Sequence, residues 1–105
     1  ITALEDCIFY IAGAVYEGIG HAFFRSFDLS QPVGDIHQIH GEGIGQREVM
    51  MTLPDKDEES RLICGLTWGG EGAWTNWPPH QHEKDLEEVY CYFGMPLPHF
   101  GFHIS

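Results

Sequence analysis

Two histidines separated by one residue, His80 and His82, have the types and spacing of metal ligands. In a β-strand, residues i and i+2 project to the same side, so the two imidazoles would point together. Pro78 and Pro79 precede them and stiffen the approach, which reduces the entropy lost when the imidazoles bind an ion. The spacing predicts a pair of metal ligands, and the alternative is a solvated polar turn that happens to contain histidine.

A carboxylate that completes the site is expected from the strand that follows. Glu87 and Glu88 open the apolar run EEVYCYF, after the short connection EKDL. Two imidazoles and one carboxylate suit Zn, Mn, Fe, Co or Ni, and the set does not select among them. Both glutamates stand where a third ligand is needed.

Seven short runs supply the strands that must position these side chains. Each is rich in β-branched and aromatic residues and is bounded by Gly, Pro or charged clusters, as in a sandwich or barrel. The predicted strands span residues 7–12, 21–29, 47–53, 61–68, 72–77, 87–93 and 100–105. They predict an all-β fold, packed as half of a jelly roll or as a small barrel.

The stretches outside the strands predict turns and loops. HGEGIGQ (40–46) contains G-x-G but lacks the third glycine of a dinucleotide-binding loop, so it predicts a turn. Residues 2–7 predict a short helical turn. His37 and His40 lack the H-x-H spacing and are predicted to be solvated loop histidines, whereas Trp68 is predicted to pack in the core.

The composition limits the classes of partner. Sixteen acidic and five basic residues give a net charge of −11 over 105 residues, which argues against nucleic acid and anionic membranes. A small anionic substrate is compatible with this charge where a bound divalent cation reverses the local field. Three cysteines without a C-x-x-C pair, and no apolar run near the roughly 20 residues of a membrane span, predict a disulfide-free cytoplasmic protein.

Two longer motifs resemble a known family. The spacing H-x-H, about four residues, Glu, six residues and Gly is similar to the first motif of the cupin superfamily. More closely, W-x-x-x-P-x-H-x-H-E at 74–83 and E-V-Y-x-Y-F at 88–93 resemble 5-deoxy-glucuronate isomerase and 4-deoxy-L-threo-5-hexosulose-uronate ketol-isomerase of bacterial inositol and pectin catabolism. The specific resemblance covers residues 61–105. It implies a cupin-like jelly roll, with residues 1–105 forming one cupin-like domain of a longer two-cupin protein.

The resemblance also assigns a ligand set. His80 and His82 would bind a divalent metal, with zinc as the first choice and manganese or iron as alternatives. General cupin spacing selects Glu87 as the third ligand, whereas alignment on E-V-Y-x-Y-F selects Glu88. Strand alternation favours Glu88, because its face also carries the two tyrosines that follow. The family's fourth ligand, a histidine on a later strand, would lie beyond the last residue.

Other residues are expected to line or serve the pocket. The predicted substrate pocket comprises Tyr90, Tyr92, His103 and Trp77. Glu83 and Glu87 are the candidate catalytic bases. Three arginines are each able to bind a uronate carboxylate in a bidentate contact, and the sequence does not distinguish among Arg25, Arg47 and Arg61.

The predicted activity is a metal-dependent aldose–ketose isomerisation of a deoxy-uronate. The metal would polarise the substrate carbonyl, while a nearby base moves a proton between C1 and C2. The alternatives are a non-catalytic metal- or sugar-binding cupin and an Fe(II) oxygenase-type cupin. The expected partners are a small-molecule sugar acid and a second copy of the chain, in a homodimer that covers unpaired strand edges.

Overall fold

The regular structure of the chain is a three-stranded antiparallel sheet, seen in a computed structural model that describes residues 2–18, 20–54, 61–82 and 84–104. Strand β1 spans His37–His40, β2 spans Arg47–Leu53 and β3 spans Cys64–Gly69. The strands lie in the order β1-β2-β3. A 3₁₀ turn, Gly43–Gly45, connects the first two strands.

The turn between β1 and β2 depends on glycine. Gly41 has a φ angle of +72°, in the left-handed region that other L-residues rarely adopt, and a Cβ there would collide with the carbonyl oxygen of Gly45. The chain can therefore reverse tightly after β1, which sets His40 opposite Arg47 and His37 opposite Met50.

The small core lies on β2, whose residues alternate between the two faces of the sheet. Met50 is 3% exposed and Val49 9% exposed, and these two residues form the hydrophobic core of the described chain. On β3, Leu66 is opposite Met50, and the register shifts between Met51 and Leu53. A central strand buries its side chains because it has a neighbour on both sides.

The segment before the sheet packs against one of its faces. The ring of Phe27 lies 5.7 Å from that of Trp68 on β3. The Arg25 guanidinium donates to the carbonyl oxygen of Thr52 on β2, and it also lies 5.1 Å from the ring of Phe23. Trp68 was expected in the core, and it is half-buried under this segment.

The sheet confirms the all-β fold class and is consistent with part of a cupin-like jelly roll. The strand predicted over 47–53 is confirmed at both ends, and the one predicted over 61–68 runs instead from Cys64 to Gly69. The turn predicted over 40–46 is also confirmed, apart from His40, which ends β1.

Five other predicted strands are wrong for the described residues, namely 7–12, 21–29, 72–77, 87–93 and 100–104. The helical turn predicted over 2–7 is a bend. Propensity for β-structure reports how well a side chain fits a paired, half-buried surface. Among the described residues these segments have no neighbouring strand to pair with, so favourable composition alone does not make them strands. No helix in the described parts of the chain has the length and apolar character needed to cross a bilayer.

Candidate metal centre

A tight turn brings the predicted ligands His82 and Glu88 together. The carbonyl oxygen of His82 accepts the backbone N–H groups of Asp85, at 2.8 Å, and Leu86, at 3.0 Å. The chain reverses over this turn, and Oε1 of Glu88 lies 3.8 Å from Nε2 of His82. The choice of Glu88 over Glu87 therefore has a geometric counterpart, although the ligand role itself stays a prediction.

His80 is held beside His82 with its ring tautomer set by the backbone. The two ring centroids are 4.9 Å apart and the ring planes are 86° to each other. Nδ1 of His80 donates to the carbonyl oxygen of Pro78 at 2.9 Å. A neutral imidazole that donates from Nδ1 keeps a lone pair on Nε2, and this is the form in which histidine binds a metal.

Tyr90 connects Glu88 to a residue that the sequence analysis missed. The Tyr90 hydroxyl donates a hydrogen bond to Oε1 of Glu88 at 3.4 Å. The same hydroxyl accepts a hydrogen bond from the side-chain amide nitrogen of Asn76, also at 3.4 Å. Partial burial raises the pKa of the Tyr90 hydroxyl, and the Glu88 charge raises it further. The hydroxyl therefore stays protonated and available as a donor. Asn76 has no spacing signal in the sequence, because its role depends on how 72–77 meets 88–90.

The remaining predicted pocket residues fall into three local contacts. The His103 ring centroid lies 4.7 Å from that of Tyr90, the residue whose hydroxyl donates to Glu88. The Tyr92 ring packs over Gly101, where a Cβ would collide with it. Trp77 packs on Trp74 with centroids 5.4 Å apart.

The two predicted bases are not brought to the centre by any described contact. Glu83 lies outside the described residues. Glu87 is exposed and, within the described chain, has no hydrogen-bond or ionic partner. Their catalytic roles stay predictions.

The three candidate ligands are of types that bind a divalent metal, but their side chains are not close enough together to share one ion. His80 and His82 adjoin each other, and so do His82 and Glu88, which supplies two imidazoles and one carboxylate. Across residues 2–18, 20–54, 61–82 and 84–104, however, no three His, Cys, Asp or Glu side chains are close enough together to hold an ion. The three candidate ligands therefore approach one another only in pairs, and their binding of a metal stays a prediction.

The prediction that His37 is a solvated loop histidine is wrong, because His37 lies in β1 and is buried. Its Nδ1 donates to the carbonyl oxygen of Gln31 at 2.7 Å, and its Nε2 lies 2.6 Å from Oε1 of Glu48. A neutral imidazole can donate from only one nitrogen, so two acceptors favour the charged ring. The bond to Gln31, and then the bond to Glu48, raise the pKa of His37.

A comparison of the sequence with family models places the chain in a known family. A sequence model described as the KduI/IolB family matches residues 1–105. The chain belongs to the KduI/IolB family, which confirms the resemblance to the uronate isomerases.

Three curated relatives are similar over part of their length. The chain is 34% identical over 70 residues to 5-deoxy-glucuronate isomerase of Halalkalibacterium halodurans, covering 59% of this chain and 26% of that protein. It is 33% identical over 60 residues to 5-deoxy-glucuronate isomerase of Geobacillus kaustophilus, covering 50% of this chain and 22% of that protein. It is 32% identical over 91 residues to 4-deoxy-L-threo-5-hexosulose-uronate ketol-isomerase of Pectobacterium carotovorum subsp. carotovorum, with coverages of 80% and 31%.

The chain therefore spans between about a fifth and a third of the length of the curated relatives it matches. No solved structure matches it.

Proposed function

We propose that the protein containing this chain isomerises a deoxy-uronate between its aldose and ketose forms with the help of a divalent metal. The observation that carries the proposal is the approach of Glu88 to His82, beside a His80 whose Nε2 has no partner among the described residues. The activities for which the relatives are named, those of a deoxy-glucuronate isomerase and a hexosulose-uronate ketol-isomerase, support the substrate class.

The candidate site residues would have two roles in the proposed reaction, metal binding and positioning of a ligand. His80, His82 and Glu88 would hold the metal, with zinc as the first choice and manganese or iron as alternatives. When bound, the metal would supply Lewis-acid polarisation of the substrate carbonyl. Tyr90 donates to Oε1 of Glu88, which limits how that carboxylate can turn.

The proton transfer needs no co-reactant. A carboxylate base, Glu87 or Glu83, would take the proton from the hydroxyl-bearing carbon next to the carbonyl, which leaves an enediolate. The same proton returns to the former carbonyl carbon, while the hydroxyl proton passes to the former carbonyl oxygen, so substrate and product have the same atoms and oxidation level overall. Such positioned bases typically contribute about 10²–10⁴-fold to the rate.

Elemental analysis of the purified protein, combined with an isomerisation assay on a deoxy-uronate before and after chelation, tests the proposal. We expect bound metal, loss of turnover on chelation and recovery when zinc is restored. His80→Ala should abolish both metal binding and turnover, whereas His99→Ala, at another exposed histidine, should preserve both. Turnover that survives chelation would refute the metal-dependent mechanism.

A non-catalytic cupin that binds metal or sugar is the second candidate, because the described ligands meet only in pairs. Bound metal without isomerisation of any deoxy-uronate would select it. An Fe(II) oxygenase-type cupin would instead show oxygen consumption that depends on iron.

Assembly and location also stay proposals. Large apolar side chains are exposed in the described chain, among them Phe24, Leu97 and Phe100, and this supports a homodimer that covers them. Cys7, Cys64 and Cys91 are unpaired, which agrees with a reducing cytoplasm. That residues 1–105 form a single cupin-like domain of a longer two-cupin protein is likewise a prediction.

A further inference from the structure

An open pocket of about 470 Å³ lies against the three-stranded sheet. This is within the size range of small-molecule sites in proteins. Its side-chain walls combine apolar, aromatic and charged groups, namely Ile39, Ile44, Arg47, Glu48, Trp68 and Glu71. The described ligand candidates His80, His82 and Glu88 do not line it, so its chemistry is separate from that of the metal centre.

Glu48 and Trp68 form the core of this pocket because the sheet sets them side by side. They are register partners on β2 and β3. Directly opposite residues of an antiparallel pair share one face, with Cβ atoms roughly 5 Å apart. A carboxylate and an indole ring thus line the same pocket.

Both side chains have a further contact that restrains them. The Phe27 ring contacts Trp68 at 5.7 Å. Oε1 of Glu48 is held by the buried His37 ring at 2.6 Å, while Oε2 has no hydrogen-bond partner within the described residues. Groups fixed before binding lose little conformational entropy when a ligand arrives.

We propose that this pocket is a sugar-binding site. The Trp68 indole would stack on the apolar C–H face of a pyranose ring, and Oε2 of Glu48 would accept its hydroxyl groups. A hydroxyl bonded to a carboxylate is a charge-assisted hydrogen bond, roughly twice as strong as a neutral one. The site requires neither metal nor catalysis, so it goes beyond the proposed isomerase activity.

Charge favours a neutral hydroxylated ligand over an organic cation. A carboxylate beside an indole also suits ammonium groups, and Glu71 adds a second negative charge. Against this, His37 occupies Oε1 of Glu48 with a ring-nitrogen hydrogen bond, and the positively charged Arg47 lines the same pocket. Arg47 has no ion-pair or hydrogen-bond partner among the described side chains, and its positive charge repels a cation.

Saturation-transfer NMR and calorimetric titration of the intact protein with methyl β-D-glucopyranoside test the site. We expect saturable binding. Trp68→Ala should weaken it about tenfold, the upper end for one aromatic contact. Glu48→Gln should weaken it several-fold, because the amide keeps an acceptor for His37 but loses the charge-assisted bond. Trp74→Ala is the matched control and should bind as the parent protein does.

Other outcomes would overturn the proposal. These are absence of glucoside binding, unchanged binding by both Trp68→Ala and Glu48→Gln, or preferential binding of tetramethylammonium. If Trp68→Ala fails to fold by circular dichroism, Glu48→Gln decides alone. His80→Ala should leave glucoside binding intact; loss of binding in that variant would place the sugar at the metal centre. Failure of the isomerase assay leaves this titration unaffected, so the two proposals fail separately.

Discussion

The sheet and the segment 78–104 contain similar proportions of apolar residues but bury them very differently. In the sheet, Met50 is 3% exposed, whereas Leu97 is 95% and Phe100 81% exposed in the later segment. The sheet satisfies its backbone with ladder hydrogen bonds on both sides of β2. The described part of 78–104 has turn bonds, such as those from Asp85 and Leu86 to His82. The buried apolar side chains lie on β2, the strand that is paired on both sides, so hydrophobicity alone does not decide which side chains are buried.

The two regions also differ in how they hold a histidine, although His37 and His80 share one type of hydrogen bond. His37 and His80 each donate from Nδ1 to a backbone carbonyl, at 2.7 and 2.9 Å. In the sheet, Nε2 of His37 meets the Glu48 carboxylate at 2.6 Å, which favours the charged ring. In the later segment, Nε2 of His80 meets no partner among the described residues, which leaves it available to a metal. One histidine is suited to hold the fold and the other to bind a ligand.

The largest expected effect lies in the later segment. His82→Ala should weaken zinc binding by at least about 100-fold, beyond the 10–100-fold typical of residues that merely support a ligand. Its urea midpoint should change little, because the side chain is only partly buried. Calorimetric zinc titration and urea unfolding measure the two quantities. Equal zinc affinity in His82→Ala and His99→Ala would remove the distinction between site and surface histidines.

The next effect belongs to the sheet. Met50→Ala should lower the free energy of unfolding by about 2 kcal/mol, the low end for a buried methionine because few buried residues surround it. Met95→Ala, in the exposed segment, should change it by less than about 0.5 kcal/mol. Urea denaturation followed by circular dichroism measures both. Equal losses would show that the later segment is buried in the assembled protein.

Tyr90→Phe tests whether the hydroxyl positions Glu88. Removing the hydroxyl should weaken zinc binding by about tenfold, as for other groups that orient a ligand, with little change in the urea midpoint. Tyr92→Phe is the matched control, because its ring packs on Gly101 and its hydroxyl has no hydrogen-bond partner within the described chain. A loss of stability without a change in zinc affinity would make the role of Tyr90 structural.

The smallest effect is a pH dependence carried by His37. Its pKa in the folded chain is raised above the ordinary value of 6.5. Its stabilising contribution is therefore complete below about pH 6.5 and is lost as the pH rises through the folded-state pKa. His37→Gln should remove this part of the stability–pH profile, and His40→Gln, on the same strand but exposed, should keep it. Parallel profiles for His37→Gln and the parent protein would contradict the assignment.

Local sequence predicted features that depend on neighbours along the chain. The alternating strand 47–53 and the glycine turn after His40 were predicted from residue type alone, because their geometry is set within a few residues. The pairing of His82 with Glu88 was also accessible, since only five residues separate them in the sequence. His37, Asn76 and the neighbourhood of Glu48 and Trp68 were missed, because each depends on contacts between distant segments. The five false strands failed for the same reason, since a strand needs a partner that composition does not specify.

The backbone bond from Trp74 to Ile44 has a mechanical consequence. The N–H of Trp74 donates to the Ile44 carbonyl at 2.8 Å, and Ile44 also lines the sheet pocket. His80 follows Trp74 by six residues, a segment that spans at most roughly 20 Å when fully extended. A displacement of the 3₁₀ turn would therefore move the end of this segment that is bonded to Ile44. The hydrogen bond to the sheet thus limits how far His80 and His82 can move from the sheet.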